Sequence, residues 1–302
     1  MNARYLAIVN PAAGGGRCGQ RFPAALASLE REGLAIDVAE TQRAGEATEI
    51  ARREWSAGRR HFIAVGGDGT SYEIINGLFP EAEGVAEADR PSLGFLPLGT
   101  GNSFLRDFTD DGATHSQKAL AEGRIQPCDV IRLRCREATY YYINILSYGF
   151  TADVGALTNR RFKRFGEAGY KLAVVTRTAL LSSRPFPMSL DGGPFQREPS
   201  VFVSLNNSKF TGGQMKMAPH ASVSDGKVAI VDVGKMGRIS LLLTFPKIFE
   251  GRHVDHPSVR ALEAEHIDFE IDAPLDLMID GEVVTGTPVR LDVLRHAIAV
   301  RV

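Results

Sequence analysis

The sequence predicts an α/β first domain built on a mostly parallel sheet, followed by a second domain that is a mainly antiparallel β-sandwich. Three observations carry that prediction. Short apolar runs alternate with amphipathic helical patterns through the first 125 residues, the rhythm of βαβ units. Glycine-rich segments stand where the apolar runs end. Beyond residue 126 the chain turns to short strands separated by turn residues, the pattern of an antiparallel sheet. The boundary is expected near residue 127, giving domains 1–127 and 128–302, with the C-terminal segment free to return to the first domain.

In order, "YLAIVN" (5–10) reads as a buried strand, and glycines 14–16 lead into a helical pattern through Leu29. "LAIDVAET" (34–41) is a second strand and "GEATEIARREWSAG" (45–58) a second helix. "HFIAVGG" (61–67) is a third strand with a helix after it, and "PSLGFLPLG" (91–99) a fourth strand. Ligands of such sheets bind at the carboxyl ends of the strands, where each glycine-rich loop falls. In the second domain "CDVIRLRC", "ATYYYINILSYGF", "SVFVSLNNS", "KVAIVDV", "HIDFEID" and "PLDLMID" read as strands. Helical patterns near 152–182 and 238–250 interrupt them.

Composition narrows the function classes. Hydrophobic residues at 44% and charged residues at 24% suit a globular chain with a real core. Lysine plus arginine (35) balances aspartate plus glutamate (36), so the overall charge offers nothing to nucleic acid; attraction to an anionic surface has to come from a local patch. Cys18, Cys128 and Cys135 are odd in number and lack C-x-x-C spacing, which argues against a disulfide framework or zinc site and for the reducing cytoplasm. The first residues do not read as a signal peptide. "RISLLLTFPKIFEG" (238–251) falls short of the roughly 20 residues of a membrane span. Membrane contact is therefore expected to be transient and from one side.

The loops carry the chemistry. Gly66, Gly67 and Gly69 let backbone approach a ligand closely, and the helix that follows offers N–H groups to phosphate. Asp68, an acid inside that cradle, makes sense if the ligand is a nucleotide with magnesium, a cation that favours carboxylate oxygens and water; an Asx turn is the alternative. Thr70 and Glu73 fit a capping box that starts a helix after Gly69. "NPAAGGGR" (10–17) supplies Arg17 for a charge-assisted phosphate contact, and "PLGTGNSFLRDF" (97–108) supplies Thr100 and Asn102. "NPAAGGGR" is not a Walker A loop, and G-x-G-x-x-G is matched by neither "GGDGTSYEIING" nor "GTGNSF". "HVDH" (253–256) lacks a third metal ligand and reads as a solvated loop. The first position of "ILSYG" is not glycine, so a hydrolase elbow is absent. Asp280 and Glu282 would share a face on an extended strand, but their spacing favours a hairpin through "DGE". "NRRFKRFGEAGYK" (159–171) is either a basic and aromatic rim for anionic headgroups or a solvated helix face.

"NPAAGGGR", "GGDGTSYEIING" and "LPLGTGNSFLRDF", in this order and spacing, resemble the catalytic domain of the diacylglycerol kinase and sphingosine kinase superfamily, particularly its soluble bacterial lipid kinases. The resemblance continues in "NNSKFTGGQMKMAPHASVSDGKVAIVDV" (206–233) and "MIDGEVV" (278–284). "GGDGT" is shared with NAD kinases, whereas "PLGTGN" favours the lipid-kinase branch. The resemblance implies an NAD kinase/diacylglycerol kinase-like fold. It also implies ATP contacts at Asn10, Pro11, Ala12, Ala13, Gly14, Thr41, Gly67, Asp68, Gly69, Thr70, Ser71, Tyr72, Glu73 and Thr100, beside Arg17, Gly99 and Asn102 of the same loops. It implies a magnesium site at Ser222, Asp225 and the backbone carbonyl of Lys227. Glu282 would accept the proton of a lipid hydroxyl, diacylglycerol or sphingoid, held between the domains with Asp280 beside it. An NAD kinase-like phosphotransferase and a non-catalytic nucleotide- or lipid-binding regulator are the alternatives. Oligomeric state, a homodimer included, stays open.

Overall fold

The computed structural model describes residues 4–99, 102–149 and 183–302. The chain divides into two compact units: unit 1 is Met1–Val130, Val223–Asp225 and Leu294–Val302, and unit 2 is Ile131–Ser222 and Gly226–Val293.

Unit 1 runs β1 (Arg4–Val9), α1 (Arg17–Arg31), β2 (Ala35–Glu40), α2 (Glu46–Ser56), β3 (His61–Val65), α3 (Asp68–Leu78), β4 (Ser92–Leu96) and α4 (Ala113–Glu122). Its strands lie in the order β2-β1-β3-β4, all parallel. The last residues of the strand Pro288–Arg301 add a fifth parallel member beside β4, with Ala299, Val300 and Arg301 opposite Ser92, Leu93 and Gly94. β1, β3 and β4 are continuous apolar runs because both their faces are covered. Cys18, Phe22, Ala25 and Leu29 recur at helical spacing and lay one face of α1 on Tyr5, Ala7, Val9, Ile63 and Val65. From β1 the chain goes to β2 on one side and then to β3 on the other. The topological switch point, where sheets of this kind bind ligands, therefore lies at the ends of β1 and β3.

The outer strand β2 is held by charge. Both carboxylate oxygens of Asp37 take bonds: Oδ2 from Arg4 Nε at 2.8 Å and Arg59 at 2.8 Å, and Oδ1 from Arg4 Nη2 at 2.5 Å. The Arg4 bond above all, with Arg59 beside it, lowers the Asp37 carboxyl from 3.8 to about 2. A depressed folded value stabilises above the ordinary carboxylate range and loses that contribution as pH falls through about 2. The stability deficit of Asp37→Asn, measured by thermal melts, is expected to shrink over that interval; it should be small at any pH, because the partners are solvated.

Unit 2 is antiparallel. Its larger sheet runs Val259–Ala264, Val228–Gly234, Pro199–Asn206, β7 (Ile145–Gly149), Leu275–Ile279 and Glu282–Gly286. A second group pairs His266–Phe269 with Met188–Leu190 on one side and with the start of Pro288–Arg301 on the other. β5 (Gln126–Cys135), which changes unit after Val130, pairs antiparallel with β6 (Thr139–Tyr142). The single run expected over "ATYYYINILSYGF" is thus two strands, broken at Ile143 and Asn144. The break is held by polar bonds: Asn207 donates to Ile143 O at 2.8 Å, Asn207 and Ser208 N–H groups donate to Asn144 O, and the Ser208 hydroxyl bonds the Asn144 side chain. The helical pattern at 238–250 is the helix Arg238–Thr244 continued by a 3₁₀ turn, Phe245–Phe249. The pattern at 152–182 lies outside the described residues. Among the described residues no helix is long and apolar enough to cross a membrane.

Candidate functional site

Three loops of unit 1 meet at the switch point. After β1, Ala13 N–H donates to Asn10 O at 3.1 Å and Gly16 N–H to Ala12 O at 3.1 Å. Gly14, Gly15 and Gly16 then take φ values of +64°, +70° and +88°, a left-handed run that side chains rarely adopt, and α1 starts at Arg17. Asn10 N–H ties this loop to β3 through Val65 O at 3.0 Å. Gly66 N–H reaches Leu96 O at 3.2 Å, and Gly99 N–H returns to Gly66 O at 2.8 Å. The loops after β1, β3 and β4 thereby form one rim. A Cβ on Gly99 would sit 2.8 Å from Gly67 N and 2.9 Å from Gly66 O, both backbone atoms that cannot swing away. Gly99→Ala is expected to cost about 1–3 kcal/mol of stability by overpacking, as read by a thermal melt.

Asp68 joins two of these loops. Its Oδ2 accepts the Ser103 N–H at 3.0 Å, and the Ser103 hydroxyl and the Phe104 N–H lie near enough to favour its charge. It thus caps the short 3₁₀ turn Phe104–Asp107, which follows the loop after β4. Burial raises its carboxyl above the usual range, against those donors, which pull it down. The Asx alternative does not describe these bonds, since the carboxylate reaches another loop. The Ser103 bond leaves other lone-pair positions of the carboxylate for a cation or for a cation's water.

The capping box expected of Thr70 and Glu73 does not form. Gly67 is the N-cap, α3 starts two residues before Thr70, and the Thr70 and Ser71 N–H groups turn back to Gly67 O at 3.0 and 3.4 Å. Thr70 is buried with its hydroxyl under Gly66, a glycine whose added Cβ would meet it. Glu73 instead caps the neighbouring helix: its oxygens accept Gly45 N–H at 2.9 Å and Ala47 N–H at 3.1 Å, at the N-terminus of α2. The Asp68 and Gly69 N–H groups, the first two of α3, come before those bonds and have no intrahelical acceptor, so they remain the anion-facing feature of this end.

The other expected contacts surround the rim. Thr41, buried after β2, binds Val9 O through its N–H at 2.8 Å and its hydroxyl at 3.2 Å. The exposed Arg17 folds its Nε onto Gly14 O at 2.8 Å, and Asn102 donates to Gly99 O at 3.4 Å. Ser71 and Tyr72 are buried in the first turns of α3. A small cleft opens among Gly66, Gly67, Asp68, Pro97, Asn102 and Phe104. Thr100 and the stretch 159–171 lie outside the described residues. Ser103 was not singled out from sequence: its part depends on two loops meeting.

In unit 2 the pair Asp280 and Glu282 divides. Asp280 (φ +47°) and Gly281 (φ +93°) form the two-residue turn of a hairpin, with Ile279 opposite Glu282, as Asp-Gly favours. Asp280 is 3% exposed, and its carboxylate accepts Ile145 N–H at 2.8 Å and Ile143 N–H at 3.3 Å, fastening the break between β6 and β7. Glu282 is exposed. Asp225, exposed, belongs to unit 1, while Ser222, half-buried, and Lys227, paired with Glu263 at 2.9 Å, belong to unit 2. Among the described residues no group of three or more His, Cys, Asp or Glu is placed to hold a metal ion. "HVDH" is built into the fold and not merely solvated: His253 is buried with Nε2 on Met217 O at 2.9 Å, and His256 bonds Ser240 and Ser258.

A glycine-rimmed parallel sheet followed in sequence by an antiparallel β unit is the architecture of kinases that join a catalytic α/β domain to a β-sandwich. Residues 4–133 match the diacylglycerol kinase catalytic domain, and residues 144–302 the YegS C-terminal NAD kinase beta sandwich-like domain. The chain belongs to the diacylglycerol kinase superfamily. It is 28% identical over 300 residues to a diacylglycerol kinase of Staphylococcus aureus (strain MRSA252), covering 98% of this chain and 91% of that one. With a diacylglycerol kinase of Staphylococcus carnosus (strain TM300) it shares 28% over 287 residues, 93% of this chain and 89% of that one. One solved structure from Bacillus anthracis str. Sterne has the same fold at TM-score 0.80 and 22% identity, covering 99% and 94% of the two chains. A structure of a diacylglycerol kinase from the same organism has it at TM-score 0.70 and 20% identity, over 99% and 96%.

Proposed function

We propose that the protein is an ATP-dependent lipid kinase that transfers the γ-phosphoryl group to a lipid hydroxyl, diacylglycerol or a sphingoid base. The observation that carries this reading is the rim itself: three loops, hydrogen-bonded to one another at the switch point of a matched catalytic domain. Backbone N–H groups of the loop 10–16 and of the first turn of α3 take the phosphates, Arg17 adds charge, and Glu73 acts only indirectly, by fixing α2 against α3. Asp68 is the residue that would hold magnesium, directly or through water. Magnesium, when bound, neutralises charge on the phosphate oxygens. In the transfer the bond from the γ-phosphorus to the bridging β–γ oxygen breaks, the acceptor oxygen bonds the γ-phosphorus, Glu282 takes the hydroxyl proton, and ADP leaves. Asp280 positions the turn that carries Glu282. Ser222, Asp225 and Lys227 offer one carboxylate between them, a thin donor set for a hard cation, and no step is assigned to them.

Incubation with γ-labelled ATP and a total lipid extract should yield a labelled lipid. Label transferred to NAD in place of lipid would make the protein an NAD kinase. ATP binding without any labelled acceptor would make it a regulator.

A further inference from the structure

The helix Arg238–Thr244 and its continuation Phe245–Phe249 carry large apolar side chains on both their inner and outer sides, and each apolar side calls for an apolar neighbour. The inner side has one. Leu241 packs on the core cluster of Met217, Ala218, Ala221 and Val231, and Thr244 and Ile248 are buried. The outer side does not. Ile239 is 76% exposed, Leu243 69%, Phe249 53% and Leu242 50%. Among the described residues these are half of all the large hydrophobics left exposed, and the others are scattered along the chain. α2 shows what an ordinary outward face carries: Glu49, Arg52, Arg53 and Ser56.

The surroundings select the occupant. Lys235, Arg238 and Lys247 are exposed around the apolar residues and, among the described residues, enter no ion pair. The acid Glu250 is neutralised by Arg252 at 2.5 Å. An apolar centre ringed by unpaired cations matches a bilayer interface: side chains of the first kind enter the acyl boundary while lysine and arginine stems reach back to phosphate. A chain whose basic and acidic residues nearly cancel gains such attraction only locally.

We infer that residues 235–249 form a membrane-docking surface that seats unit 2 on an anionic phospholipid bilayer, with Ile239, Leu242, Leu243 and Phe249 inserted and Lys235, Arg238 and Lys247 at the headgroups. That a bilayer is the relevant partner rests on the lipid-kinase reading; the surface itself does not use the nucleotide rim or Glu282. The test is co-sedimentation with vesicles of equimolar phosphatidylglycerol and phosphatidylcholine, and with phosphatidylcholine alone. Wild type should bind the anionic vesicles more tightly. Ile239→Ser combined with Leu243→Ser should weaken binding by more than about tenfold, and each of Lys235→Gln, Arg238→Gln and Lys247→Gln by about fivefold, with melting temperatures unchanged. Phosphorylation of detergent-dispersed lipid should stay at the wild-type rate in all of them. Wild-type protein that ignores both vesicles, or serine variants that bind as wild type does, overturns the inference. A wild-type dimer that the serine substitutions dissociate also overturns it, by making the face a contact between copies. If no lipid is phosphorylated but the variants still lose vesicle binding, the docking surface stands and the kinase reading falls.

Discussion

Asp68→Ala is expected to lose about a hundredfold or more in turnover and about 2 kcal/mol in stability, whereas Asp68→Asn should lose the turnover alone. Alanine leaves the Ser103 N–H without its acceptor, which costs about 1–3 kcal/mol and releases the loop after β4 from α3; misplacing a phosphate-binding loop by an ångström costs about 10²-fold in rate. Asparagine keeps an acceptor oxygen for that loop and removes only the charge. The titration sharpens the contrast. Burial raises the Asp68 carboxyl in the folded chain, so its favourable contribution to stability is present below the ordinary carboxylate range and is lost as pH rises through the raised value. Once ionised, the acid works against the fold, and Asp68→Asn should melt no lower than wild type. Thermal melts and steady-state rates at pH 7 decide the matter. An active asparagine variant removes any metal role for Asp68, and an alanine variant that melts like wild type removes the loop-capping role.

Asp280 and Glu282, two residues apart, are expected to fail in opposite ways. Asp280→Ala should lower stability by about 3 kcal/mol, because it leaves two buried N–H groups at the break between β6 and β7 unsatisfied. Glu282→Gln should unfold at the wild-type temperature, since the side chain is exposed, yet turn over about 10²–10⁴-fold more slowly, the ordinary contribution of a general base. The loss should fall in kcat with KM for ATP little changed. Undiminished kcat in Glu282→Gln would remove Glu282 as the proton acceptor.

What could be foreseen from sequence follows physical lines. β1, β3 and β4 were legible because a strand covered on both faces is one unbroken apolar run, and here each ends at glycine or at a proline-glycine loop. The Asp-Gly turn was legible because its backbone requirement is local. The capping box misled for the opposite reason. Thr70 and Glu73 have the right spacing, but Glu73 finds its donors in Gly45 and Ala47, on a neighbouring helix that only the folded chain brings near. Ser103 escaped notice on the same grounds. The strand Pro288–Arg301 was not seen because it changes unit after Val293, so its alternation answers to two surroundings, and Arg290, Asp292 and Arg295 interrupt it. Val259–Ala264, with Arg260 and Glu263 at half-buried or exposed positions, hid in the same way.

The placement of Ala299, Val300 and Arg301 beside β4 has a bearing on synthesis. The half matched by the catalytic domain is encoded first, yet its sheet gains an outer neighbour only from residues 299–301, made long after it. A fragment stopped at residue 133 should therefore emerge with β4 as a bare, aggregation-prone border, and on the ribosome the first half should wait, incompletely closed, until Arg301 has been made.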